Sequence, residues 1–94
     1  MKLIEYRELT AKMCGVDLDG WHPETNYQQM TKVADILIER GYGFRDHNFI
    51  TDGKVLWSTV ELFNIRRDHI FPGDGETTEK AFMNAFIEYN KFDR

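Results

Sequence analysis

The feature that most limits what this chain can become is Thr51-Asp52-Gly53-Lys54, set between apolar-rich runs at 44–50 and 55–63. Asp-Gly between such runs favours a two-residue type I′ turn, because both central residues take positive φ and the turn's twist matches that of paired strands. An antiparallel hairpin is therefore predicted. With Asp52-Gly53 as the loop, Ile50 faces Val55, Phe49 faces Leu56 and Asn48 faces Trp57. One face then collects Phe49, Leu56, Val60 and Leu62, and the other Phe44, Ile50, Val55, Trp57 and Phe63. Neither face is polar, so both need cover. His69-Ile70-Phe71 is the candidate third strand beside the second run.

Helices supply the cover. Leu3, Tyr6, Leu9, Met13 and Cys14 recur at three-to-four spacing, and Gly15 stands where a left-handed cap ends a first helix over 3–14. A loop at 16–24 carries Gly20 and Pro23 and is pinned by Leu18 and Trp21. Thr25 and Gln28 read as a capping box for a second helix, along which Met30, Val33, Ala34, Leu37 and Ile38 trace an apolar stripe that Tyr27 extends backward. Gly41 ends it. Gly73-Asp74-Gly75-Glu76 reads as a turn, after which Thr77 caps a third helix with Ala81, Phe82, Ala85, Phe86 and Tyr89 on its apolar face.

At 94 residues and 41% hydrophobic content, the chain is expected to form a single domain over 1–94 with one core. The predicted class is α+β: an α/β/α sandwich whose small antiparallel sheet is covered by three helices. Glu5, Arg7 and Glu8 interrupt the N-terminus where a signal peptide needs an apolar stretch, and no run has the length of a bilayer-spanning helix. No membrane association is expected, and the chain is read as cytosolic. A net charge of −4 argues against a nucleic-acid partner.

No residue set specifies catalysis, so no enzyme activity and no cofactor are expected. His22, His47 and His69 lack metal-ligand spacing, and the lone Cys14 cannot complete a thiolate cage, so no metal is expected either. Asp17-Leu18-Asp19-Gly20 begins like a calcium loop but is followed by Trp21, His22 and Pro23. Cys14 lacks the electropositive setting of a reactive thiol and reads as a small core residue. The charged cluster that stands out is Arg66-Arg67-Asp68-His69, since paired arginines clamp phosphate or carboxylate through forked hydrogen bonds; a solvated turn balanced by Asp68 is the favoured reading, because most exposed charge pairs contribute little. Trp21, His22 and Tyr27 are the accompanying candidates for an interface, because Trp, Tyr and Arg are its usual anchors. For Trp57, burial in a strand is the simpler expectation.

Three stretches carry a resemblance to a known family: Asn26-Tyr27 through Val33-Ala34-Asp35-Ile36-Leu37, Gly41-Tyr42-Gly43-Phe44, and Gly73-Asp74-Gly75-Glu76-Thr77-Thr78-Glu79-Lys80-Ala81-Phe82. Together they resemble the phage ABA-sandwich domain, small phage and prophage proteins in which a Gly-Glu-Thr-like turn launches a last helix with small residues where Ala81 and Ala85 stand. Glu24-Thr25-Asn26-Tyr27 departs from that family's Tyr-Ser-Thr-Asp-like start of the second helix. The resemblance implies an α/β/α sandwich and a phage origin, and carries over no catalytic residue. It leads to the expectation of a non-catalytic protein of the host bacterial cytoplasm that inhibits a host defence protein by occlusion, with Trp21, His22, Tyr27, Arg66, Arg67, Asp68 and His69 as its contact residues. Two alternatives stand beside it. One is an oligomer that sequesters a signalling nucleotide; the other is a phage structural or regulatory accessory that self-associates.

Overall fold

The computed structural model describes residues 1–66 and 68–92. In chain order it contains α1 (Leu3–Cys14), α2 (Tyr27–Glu39), β1 (Tyr42–Thr51), β2 (Lys54–Asn64), β3 (Ile70–Gly75) and α3 (Thr78–Phe92). The strands make one antiparallel sheet in the order β1-β2-β3. Three helices, the hairpin and a third strand are thus as the sequence predicts.

Local chemistry explains the element ends. Gly15 closes α1 at a φ of 65°, where a left-handed residue returns its N–H to the last turn. α2 is capped one residue later than the capping box suggests. The Asn26 side chain accepts the Gln29 N–H at 3.0 Å, because the Thr25 and Asn26 N–H groups are already spent on the carbonyl of His22 in the preceding turn. Gln29 in turn accepts from the His22 N–H at 2.6 Å and donates to the Gly20 carbonyl at 3.0 Å, tying the 16–24 loop to the helix. The stripe on α2 is shorter than its pattern: Met30, Val33, Ala34 and Leu37 are buried, whereas Tyr27 and Ile38 are exposed. Thr77 caps α3, its hydroxyl accepting the Lys80 N–H at 3.2 Å.

Asp52 and Gly53 both take positive φ, 53° and 74°, as a type I′ turn requires. The predicted register holds at Thr51↔Lys54 and Ile50↔Val55 and then slips. A bulge at Leu56 sets Phe49 opposite Trp57 and Asn48 opposite Ser58, so every later pair exchanges faces relative to the uninterrupted ladder. Phe44 thereby joins Val60 and Leu62 on one face, while Arg45, His47 and Phe49 share the other with Glu61, Thr59 and Trp57.

Gly73-Asp74-Gly75 is not a turn. These residues finish β3, paired with Val60, Thr59 and Ser58 of β2. The glycines are demanded by packing: a Cβ on Gly73 would overlap backbone atoms of Ala81 and Ala85, and one on Gly75 would stand 2.7 Å from the Ala81 nitrogen. Glycine on the strand and alanine on the helix let two backbones approach closely.

α2 and α3 pack on the sheet face that carries Val60, Leu62 and Phe71, α1 packs against α2 and meets α3 through Tyr6 and Phe86, and the buried side chains form one core. Phe44 meets Phe82, and Tyr6 meets Phe86, in edge-to-face contacts at 5.7 and 5.3 Å. The opposite face, with Arg45, His47, Phe49, Trp57, Pro72 and Asp74, is exposed. The cover expected on each side of the sheet is therefore realised on one side. The bulge makes this possible, because it hands the open face the ion pair Arg45–Glu61 at 3.5 Å and the Thr59–Asp74 hydrogen bond at 2.8 Å, groups that water can solvate.

Candidate functional site

The residues singled out from sequence do not form one surface. Trp21 is inside the molecule, 3% exposed, and its indole Nε1–H donates to the Thr10 hydroxyl at 2.9 Å. Thr10 passes the bond on to the Tyr6 carbonyl at 2.7 Å, so the three residues are a buried clasp between α1 and the 16–24 loop. Trp21 cannot touch a partner and leaves the candidate set. His22 is exposed at the end of that loop, with its ring nitrogen 3.9 Å from the Glu24 carboxylate. Tyr27 is exposed at the first residue of α2.

Arg66, Asp68 and His69 lie exposed on the β2–β3 connection; Arg67 lies outside the described residues. That connection sits at the other end of α2, where the Ile65 N–H donates to the Gly41 carbonyl at 2.7 Å. A helix of 13 residues spans ~20 Å, which separates the His22 and Tyr27 group from the Arg66 group. Asp68 is held by its N–H to the Asn64 side chain at 2.8 Å, and the His69 ring packs 4.1 Å from that of Phe92. Arg66 lines a shallow cleft of about 410 Å³ together with Arg40, Tyr42, Asn64, Ile65 and Asp68.

Beneath His22, Arg7 grips the buried Glu24 carboxylate with Nε–H bonds of 3.2 and 3.1 Å and an Nη2 bond of 2.5 Å. Burial pushes the Glu24 carboxyl up, but the Arg7 hydrogen bonds and charge outweigh it and hold the group below its ordinary range. Burial raises the Cys14 thiol, and its half-buried side chain packs against the core. Among the described residues no group of three or more His, Cys, Asp or Glu side chains could hold a metal ion, and no helix is long and apolar enough to cross a membrane.

The surface that sequence reasoning missed is the end of the hairpin. β1 and β2 run together for their whole length, but β3 pairs only with 58–63 of β2. The far end is thus a two-stranded ribbon projecting past the third strand. On it Phe49 and Ile50 are 63% and 64% exposed, Leu56 59% and Trp57 43%, with Val55 beside them. Trp57 was expected in the interior; the bulge turns it, with Phe49, onto the open face. Two signals were available: the unbroken run Val55-Leu56-Trp57, which does not alternate, and a third-strand candidate too short to accompany an eleven-residue strand.

Neither a scan of protein-family models nor searches of curated proteins and of solved structures gives a match for this chain.

Proposed function

We propose that this protein acts by binding a protein partner through the β1–β2 hairpin end, and that its resemblance to small phage proteins makes that partner a host protein whose site it occludes. The observation that carries the reading is the exposed apolar set at the tip of a projecting ribbon, Phe49 paired with Trp57 on its open face and Ile50 with Val55 beside the turn, with Leu56 at the bulge. Soluble domains bury such groups unless a partner does, and large apolar side chains at the centre of a patch supply most interface energy. The type I′ turn and the paired strands hold the set in one geometry before contact, which lowers the ordering cost of binding. Polar groups behind it on the open face, Arg45, His47 and Glu61, give it an edge of the kind that rims interfaces.

The test is capture from a bacterial host lysate with wild type, Leu56→Ser/Trp57→Ser and Arg66→Gln. A stoichiometric host protein held by wild type and by Arg66→Gln, but released by the hairpin variant, supports the reading. Retention by the hairpin variant overturns it, and so does a hairpin-dependent homodimer with no host protein bound.

A second reading, sequestration of a nucleotide, draws on Arg40 and Arg66 lining one cleft. A rise in melting temperature with a candidate nucleotide, lost in Arg66→Gln, is its signature.

A further inference from the structure

A second cleft, of about 420 Å³ and also lined by Arg40, opens between α1, the end of α2 and α3. We infer that this cleft is a binding site for a small amphipathic anion, a molecule with one acidic headgroup and an aromatic or short aliphatic body. The inference is independent of the hairpin.

Its floor is apolar: Leu9 and Met13 from α1 and the buried ring of Phe86 from α3 line it. Met13 sits half-buried with its flexible thioether at the cleft, a side chain that adapts to irregular apolar shapes. Its rim is cationic: Lys12 and Arg40 stand on it with Asn90, and none of the lining residues is acidic. In a chain of net charge −4 this is a local inversion of sign. Lys12 and Arg40 are also unspent. Among the described residues no carboxylate lies within 4.0 Å of either, and the close Lys or Arg pairs with carboxylates are Arg7–Glu24, Arg45–Glu61 and Lys91–Glu88, away from this cleft. The Arg40 guanidinium is steadied instead by the Tyr89 hydroxyl, with Nη1 at 3.4 Å, which leaves its remaining N–H groups for an acceptor.

The size lies within the range of small-molecule pockets, which pair apolar walls with a few placed polar groups. A wholly apolar ligand would make no use of the two rim cations, and a small inorganic anion would leave the apolar floor wet. Only a ligand carrying both parts satisfies both surfaces. A forked guanidinium on one side and a lysine on the other suit a carboxylate, sulfonate or phosphate headgroup.

Two fluorescent probes separate these parts: 8-anilino-1-naphthalenesulfonate, which has an aromatic body and an anionic head, and uncharged N-phenyl-1-naphthylamine. Titrations use wild type, Lys12→Gln/Arg40→Gln and the hairpin variant Leu56→Ser/Trp57→Ser. Lys12 and Arg40 are exposed, so their replacement leaves the core intact, and a thermal melt confirms that each variant is folded. The expected result is saturable sulfonate binding to wild type, weakened at least tenfold in the Lys12/Arg40 variant, unchanged in the hairpin variant, and stronger than binding of the neutral probe. Equal sulfonate affinity in wild type and the Lys12/Arg40 variant overturns the inference. Equal affinity of wild type for both probes, loss of binding in the hairpin variant, or no binding at all overturns it as well.

Discussion

Tyr6 is the residue whose chemistry is least satisfied. Its ring is fully buried against Phe86, yet among the described residues its hydroxyl has no hydrogen-bond partner. Burial, with the nearby Glu24 charge, drives the phenol well above its ordinary pKa, so it stays neutral. An unmade buried hydrogen bond costs about 1–3 kcal/mol, and Tyr6→Phe removes that cost while keeping the ring. Tyr6→Phe is therefore expected to be as stable as wild type or up to about 1 kcal/mol more stable by urea unfolding; a loss of more than that would reveal a partner for the hydroxyl. Thr10→Val has the opposite expectation, because it strands the buried indole N–H of Trp21 and should cost about 1–3 kcal/mol. Glu24 makes stability depend on pH. Its folded pKa lies below the ordinary 4.5, so its contribution is complete above that value and is lost as pH falls through the lower folded one. Wild type should lose more of its urea midpoint between pH 7 and pH 3 than Glu24→Gln does, and parallel losses would show that the pair adds nothing.

The seam between β3 and α3 is the most sequence-sensitive contact between elements. Gly73→Ala places a methyl into the backbone of Ala81 and Ala85, which cannot yield as a flexible side chain would. Overpacking costs about 1–3 kcal/mol, and this substitution belongs at or above the top of that range. Gly53→Ala meets open space and suffers only a left-handed φ, a cost of about 1–2 kcal/mol. Thermal melts should therefore rank Gly73→Ala well below Gly53→Ala; the reverse order would mean that the helix can move off the strand. This seam was only half legible. Ala81 and Ala85 were correctly placed on the buried face of α3, but Gly73 and Gly75 have the local appearance of a turn, since glycine in a strand makes sense only once the helix it admits is known. The helix ends were read within a residue, because caps and C-terminal glycines act over one turn of chain. The slip at Leu56 was not, because a bulge is decided by which side chains the rest of the sheet can bury.

Considered whole, the molecule gathers its buried apolar residues in a one-sided core and leaves five of its exposed ones together at the hairpin end. Substitutions in the two regions should therefore separate stability from binding. Leu56→Ser/Trp57→Ser is expected to shift the melting temperature by no more than a few degrees, as surface changes usually stay within about ±0.5 kcal/mol, while abolishing partner capture. A large drop in melting temperature would instead mean that the hairpin end packs within the fold. Val60→Ala, at the buried centre of β2, should do the reverse and melt far lower while leaving the hairpin residues in place. The sites expected from sequence fared unevenly for a related reason. His22, Tyr27, Arg66, Asp68 and His69 are exposed, but α2 holds them at opposite ends, and Trp21 is consumed by the core. What the amino-acid order determined alone was everything set by neighbours in the chain: the three helical periods, their caps, and the Asp52-Gly53 turn with its hairpin. What only the tertiary structure decided was which face of the sheet the helices cover, which glycines a helix requires, and which aromatic residues remain outside. Those depend on packing between segments far apart in sequence, where a single extra residue in one strand reverses the direction of every side chain beyond it.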